Sequence, residues 1–424
     1  MLDQHPKEPP WLSWLYALLW SATILATVPL ARIIADYVSE SLGNQSFLWL
    51  TAGFVVAGLI VAVRALLSRG LPVSAYLWLA SFGGALLWIA WRLRGNPVEA
   101  FHVVQYGILS LLFYRALVHG ISDYSVYASS ALLAGIVGIL DEWLQWLVPG
   151  RFWGIRDVGI DFLAATLTQC ALAAGLRPRI VSGWPTGRSL FRVSCLLAVG
   201  LAMLGLSYAN TPDRIARFAA RVPAMVFLLD NQSMMAEYGH HYEDPGIGTF
   251  QSRFDRDALL RLDMDRGTAA AQILSDIHSD EDWQSFRTAF TVPRDPYVHE
   301  VGIHLFRRNR LLDMARDKEQ PKRKRPEWYF VAQKENRILE QFFPQAINAS
   351  SHRWTDETRR EVEANADAWY EYRSPVSRNL ITRFSRAQVT GGFTLAVVVV
   401  LLAGMIGRRF DTGNPGTRQR RDLD

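Results

Sequence analysis

Long apolar runs separated by short charged breaks dominate the chain from residue 11 to about 208. Eight windows are apolar enough to cross a bilayer: 11–35, 47–68, 71–91, 103–120, 126–146, 158–176, 190–208 and 390–407. Each approaches the roughly 20 residues that cover about 30 Å of hydrocarbon. The first is too long for the apolar core of a signal peptide and lacks a convincing cleavage site, so it counts as a span. Arg115 interrupts the fourth. Between the seventh and eighth windows the pattern changes: residues 209–388 are polar and dense in Arg, Asp and Glu. The expected fold is an α-helical polytopic membrane protein of about eight transmembrane helices, with a large, mainly helical (α+β) extracytoplasmic domain between helices seven and eight. The expected divisions are an N-terminal three-helix membrane region (1–94), a membrane core (95–176), a seventh helix with its cytoplasmic loop (177–208), a soluble domain (209–388), and a last helix with a basic tail (389–424).

Charge sets the expected orientation, because Lys and Arg collect on the cytoplasmic side of membrane proteins. Lys7, Arg64 and Arg69, the run Arg177, Arg179, Arg188 and Arg192, and the tail Arg408, Arg409, Arg418, Arg420 and Arg421 all fall on one side if eight spans alternate. Both termini are then cytoplasmic and the insert is outside, in a bacterial plasma membrane. Arg92 and Arg94 oppose the rule but are outnumbered. The net charge of +5 is mostly this topology signal, and no nucleic-acid partner is implied. Cys170 and Cys195, the only cysteines of the 424 residues, lie in predicted spans. The insert therefore carries no disulfide and needs a core of its own.

Polar chemistry concentrates at the same expected outer edge. The stretch Asp141–Asp161 reads DEWLQWLVPGRFWGIRDVGID, between SSALLAGIVGIL and FLAATLTQCALAAGL. Asp141 and Gln145 are one helical turn apart at the end of span five, with Glu142 beside them, and Pro149-Gly150 predicts the turn to the next helix. Asp157 and Asp161 repeat the i, i+4 spacing at the start of span six. Glu99, His102 and Tyr106, spaced i, i+3, i+7, share one face of the helix that becomes span four. Arg151 and Arg156 are placed to pair with some of these carboxylates, while Trp143, Trp146 and Trp153 suit the headgroup belt. Ionisable groups at membrane depth face a bundle interior or a wet cavity, so spans four to six are expected to build one outward-facing polar cluster. His119 reads as a solvated loop residue, and Arg115 as a side chain that snorkels to the interface.

The combination of His102 and Tyr106 in HVVQYGIL, DEWLQWLVPGR and the following Asp157 resembles the VanZ-like family, over residues 95–176. That family's pattern is a His–Tyr helix, then D-E-x-x-Q-x-x-x-P-G-R, then an Asp opening the next span. Asp141, Glu142, Gln145, Pro149, Gly150, Arg151 and Asp157 match it position by position. Gln105 stands where the family often has Glu, and Asp161 where it has Asn. The resemblance implies a cell-envelope protein linked to low-level glycopeptide (teicoplanin-type) resistance. It names no biochemical activity.

Two readings of the cluster stay open. In one it is a site, with Glu99, His102, Asp141, Glu142 and Asp157 as candidate catalytic groups and Tyr106, Gln145, Arg151, Arg156 and Asp161 as binding groups. The expected partners are then membrane lipids, a lipid-linked glycan or glycopeptide, and an envelope protein recognised by the 209–388 domain. In the other the same residues are an ion-pair network that only locks three helices. Proton passage is disfavoured because span centres lack charges. No cofactor is implied; a metal site built from one His and several carboxylates stays open as an alternative, though no ligand spacing supports it.

In the insert, residues 212–229 carry apolar and basic residues at near-helical spacing, as an element lying on a membrane surface would. Two clusters follow: Glu237, His240, His241, Glu243 and Asp244, then Asp295, His299, Glu300 and His304. HEVGIH is not the zinc motif H-E-x-x-H, since its histidines are five apart. These histidines are expected as satisfied polar groups in loops and at strand edges, with metal binding by the two clusters together and ligand contact without metal as the alternatives. DRDALLRLDMDRGTAAAQILSDIH, ENRILEQFF and TDETRREVEANADAWYEYR predict amphipathic helices, and RDKEQPKRKRPEW a solvated charged loop. There is no Gly-rich phosphate loop, no G-x-S-x-G elbow and no repeat.

Overall fold

A computed structural model describes residues 6–43, 45–148, 151–231, 234–368 and 370–412, and in it the chain is mostly helical. Among the described residues, eight helices are long and apolar enough to cross a membrane. The chain divides into two units, one of residues 1–206 and 390–424, the other of 207–389.

In the first unit, α1 (Pro10–Thr27) ends in a 3-10 turn, Val28–Leu30, before α2 (Ala31–Leu42) begins. The first apolar window therefore overshoots. Pro29 has no N–H to continue the helix, and its ring collides with the carbonyl four residues back. Then come α3 (Ser46–Arg69), α4 (Val73–Arg92), α5 (Pro97–Leu117), α6 (Ser125–Trp146) and α7 (Ile155–Cys170), which runs on through a π-helical turn, Ala171–Leu176. The fourth and sixth spans start earlier than their apolar windows, at Pro97 and Ile155. Pro97 occupies the first turn, where its missing N–H costs nothing. The predicted Pro149-Gly150 turn and the tail arginines beyond residue 412 lie outside the described residues.

Helices α5, α6 and α7 are the most enclosed spans, and Ala100, Val103, Tyr106, Leu109, Ala134 and Ala164 form the middle of their core. Small residues let α6 and α7 close. A Cβ on Gly135 would fall 2.8 Å from the Phe162 ring, and one on Gly138 would fall 3.0 Å from Asp161 Oδ2. His119 is not a free loop residue, because its Nε2 lies 3.1 Å from Ser13 Oγ. Arg115 is paired with Glu8. Trp146 is buried rather than facing a headgroup belt.

The second unit opens with α9 (Pro212–Arg221) and a 3-10 stretch, Pro223–Asp230. An antiparallel hairpin follows, β1 (His240–Asp244) on β2 (Gly248–Ser252), with Tyr242 opposite Phe250. Gly248 takes φ +108°, and a Cβ there would meet the Tyr372 carbonyl oxygen at 2.1 Å, so only glycine lets the 370–374 segment join the hairpin. That segment is tied by Thr249 N–H to Tyr372 O and Ser374 N–H to Thr249 O, both 2.8 Å. Helices α10 (Arg256–Ser275), α11 (Asp280–Ala289), α12 (Pro296–Arg316), α13 (Arg325–Phe342), α14 (Pro344–Asn348) and α15 (Asp356–Asn365) complete the unit around Phe250, Leu259, Leu274, Phe286, Val301 and Ile338. The last membrane-length helix, α16 (Arg386–Thr412), follows it. In the membrane unit α16 approaches α8 (Gly187–Ala209), where a Cβ on Gly404 would fall 2.7 Å from Ser194 Oγ.

Two expectations for the insert are corrected. PYVHEVGIHLFRR is helical, within α12, because Asp295 caps it by accepting from Val298 N–H and Pro296 opens its first turn. His299 and His304 are thus helix residues rather than loop or strand-edge groups. Helix α15 stops at Asn365, well short of the expected end at Arg373. The two polar clusters do meet, but through Arg253, which pairs with Glu237 (2.6 Å) and Glu300 (3.3 Å). His240 and His241 remain exposed on β1.

Candidate functional site

The start of α5, the end of α6 and the start of α7 come together at one end of the bundle. Antiparallel packing brings these termini together, and each carries a polar cluster at helical spacing. His102, on α5, places Nδ1 3.0 Å from Asp161 Oδ1 on α7. Its ring stacks on Tyr106, one turn further along. The Tyr106 hydroxyl donates to Asp141 Oδ2 on α6 at 3.1 Å. Gln145 Nε2 donates to Glu142 Oε1 at 2.6 Å, and the Gln145 carbonyl accepts from Arg151. Glu142 Oε2 accepts from Gly154 N–H at 2.9 Å, which ties the end of α6 to the entry of α7. Gly154 has no side chain to obstruct Asp157, whose Oδ2 would lie 2.6 Å from a Cβ at that position.

Asp141, Glu142 and Asp161 are 3%, 1% and 0% exposed, so these carboxylates are inside the bundle rather than on its lipid face. A cavity of about 300 Å³ opens against Glu142 and Asp161. Its walls include Asn96, Glu99, His102, Glu142, Gln145, Arg151, Asp157 and Asp161, with Ala35 from α2. A second cavity of about 160 Å³ shares His102, Gln145 and Arg151 with the first and adds Asp141. The rest of its lining is largely apolar, Ile24, Val28, Ile34, Phe47 and Phe101, while Val98 borders both cavities.

All ten residues singled out from the sequence lie in or beside this arrangement, and of the two arginines expected to pair with carboxylates only Arg156 does so. Arg151 reaches the Gln145 amide, not a carboxylate. Arg156 is at the rim, 3.7 Å from Glu99 and 69% exposed, where an ion pair contributes little. Glu99 is held from the other side by Asn96 at 2.6 Å. His102, Asp141 and Asp161 also present ligand atoms within 4.8 Å of one another, a constellation that no sequence spacing showed because it spans three helices. The apolar cavity went unseen as well. Phe47 and Phe101 carry no mark that separates them from other lipid-length positions, whereas Asn96 could be found as the residue before a helix-opening proline.

The close contact at Gly138 gives one test. Gly138→Leu is expected to force Asp161 and α7 away, at about 1–3 kcal/mol, and to lower the melting temperature of the purified protein. Gly159→Ala, on a helix face with nothing within 4 Å of the new methyl, is the control and should not lower it. Equal melting temperatures for the leucine variant and the wild type would show that the close approach is not needed.

Comparison with protein-family models, with curated proteins and with solved structures finds no match.

Proposed function

We propose that the chain is a VanZ-like integral membrane protein of the bacterial cell envelope, and that its two adjoining cavities bind an amphiphilic envelope component, a lipid-linked glycan or a glycopeptide. The observation that carries this reading is the pair of cavities itself. A polar chamber and an apolar one share His102, Gln145 and Arg151. A molecule with a polar head and an apolar arm fits such a layout, as a wholly polar or wholly apolar ligand does not. Arg151 faces both chambers and is the donor suited to a phosphate or carboxylate at their junction.

The site end is proposed to face away from the cytoplasm. Past the far end of α7, Arg69 at the end of α3 donates to the Arg177 carbonyl at 2.8 Å, so two of the basic residues that mark a cytoplasmic side meet there. With that orientation the 207–389 unit is extracytoplasmic, and it is proposed to recognise an envelope partner. In the enzymatic form of the proposal His102, oriented by Asp161, is the general base, with Asp141, Glu142, Glu99 and Asp157 as the carboxylates around it. Glycopeptide resistance is the phenotype to examine.

The helix-locking alternative has its own support in the chain Tyr106–Asp141–Gln145–Glu142–Gly154, which runs from α5 through α6 to the residue before α7. Single substitutions Asp141→Asn, Glu142→Gln and Arg151→Lys separate the two. A site predicts normal folded yield in membranes with at least a tenfold loss in amphiphile binding or envelope phenotype. A lock predicts loss of folded yield in every variant, because removing one partner strands the other.

A further inference from the structure

We infer that His102, Asp141 and Asp161 hold a divalent first-row transition-metal ion, which forms the polar end of the proposed amphiphile site. This inference rests on the binding reading above and specifies its chemistry; it replaces the enzymatic form, since a metal-bound His102 is not a general base.

Two buried carboxylates and an imidazole offer ligand atoms within 4.8 Å of one another. Ligands around such an ion, bound at about 2.0–2.2 Å, stand on the order of 3.5 Å apart, so modest side-chain rotation closes the set. The second observation is independent of that distance. Asp161 is fully buried, and its Oδ2 has no hydrogen-bond partner although Oδ1 is taken by His102. A buried carboxylate oxygen without a donor is costly, and a cation supplies what the protein does not. Asp141 is already positioned by the Tyr106 hydroxyl, the kind of outer contact that orients a metal ligand. Asp161 and His102 both line the 300 Å³ cavity, so the ion would have an open side.

Charge in the cavity points the same way. Its wall carries Glu99, Glu142, Asp157 and Asp161 against Arg151 and His102. Without a cation, a phosphate- or carboxylate-bearing head would enter a chamber of its own sign. A bound dication reverses this and gives the head group a ligand to reach. Mixed imidazole and carboxylate donors suit zinc and manganese, and leave magnesium and calcium, which prefer oxygen alone, as weaker occupants.

The test uses the full-length protein in lipid nanodiscs, stripped with a chelator and then titrated separately with Zn²⁺ and Mn²⁺, without added amphiphile. Metal retained after desalting should reach one equivalent, and it should raise the melting temperature. His102→Gln and Asp161→Asn should each weaken retention at least tenfold. Arg151→Lys should retain metal as the wild type does while losing amphiphile binding, so failure of the metal site and failure of the amphiphile site are told apart. The inference is overturned if the wild type takes up no stoichiometric metal, a result that stands whether or not the variants fold. It is also overturned if both ligand variants bind as tightly as the wild type.

Discussion

Glu335→Gln is expected to be the most damaging single substitution in the 207–389 unit, with a loss of about 3–5 kcal/mol, the range seen when one member of a buried charged pair is removed. Glu335 is 0% exposed. Its carboxylate accepts from His304 Nδ1 at 2.6 Å, the Tyr372 hydroxyl at 2.5 Å and Ser374 Oγ at 2.8 Å, and Arg307 lies 3.2 Å away. It thereby joins α12, α13 and the returning 370–374 segment. His304 Nε2 is buried without a partner, and the other ring nitrogen, Nδ1, is the one directed at Glu335. A neutral amide cannot accept all these donors. For a unit of this size the loss corresponds to roughly 10 °C in melting temperature, read from the purified full chain. A shift under 2 °C would contradict the account.

The same carboxylate sets a pH dependence. Burial alone would raise its pKa, but the His304 charge and the hydrogen bonds from His304, Tyr372 and Ser374 outweigh that and hold it below its ordinary value of 4.5. A folded-state value below the unfolded one means the contribution is complete above about pH 4.5 and disappears as pH falls through the lower, folded value. The wild-type unit should therefore lose stability on acidification in that window. Glu335→Gln, already destabilised, should lose less there. Parallel acid profiles for the two proteins would contradict this.

Arg308→Ala carries the second large effect. Arg308 is the largest fully buried side chain, 1% exposed. Its guanidinium donates to Asn336 Oδ1 at 2.9 Å, to Asn309 Oδ1 at 2.8 and 3.0 Å, and to the His352 carbonyl at 2.7 Å. It also lies over the Trp354 ring at 5.2 Å. Alanine leaves a cavity and strips those acceptors of their donor, about 3–5 kcal/mol together. Arg308→Met keeps most of the volume and is expected to lose roughly half as much. Denaturant midpoints should rank wild type, Met, Ala in falling order. Equal losses for Met and Ala would show that packing around Arg308 contributes nothing beyond its hydrogen bonds.

What could be read from the chain follows from how far each property reaches along it. Membrane-length helices are legible because apolar length is local, and all eight windows correspond to helices long and apolar enough to cross a bilayer. The window at 11–35 failed at its end because ARIIADYV keeps the apolar average high after Pro29 has stopped the helix. Face-sharing within one helix, as in Glu99, His102 and Tyr106, is equally local. Pairing is not. His102 meets a carboxylate 59 residues on, and His304 one 31 residues on. Nothing in HEVGIH reveals that Glu335 will fill its core. The apolar chamber is harder still, since Ile24, Phe47 and Phe101 look like any other bilayer-length positions until three helices leave a gap between them.

Cysteine accessibility tests the central claim most directly. In a chain carrying Cys170→Ser and Cys195→Ser, Glu99→Cys puts one thiol at the wall of the polar chamber, and a membrane-impermeant maleimide is applied to intact spheroplasts. Reaction before permeabilisation is the expected result, because the ionisable groups of α5, α6 and α7 are proposed to surround a chamber open to the outside. A thiol that reacts only after the membrane is breached would contradict that account.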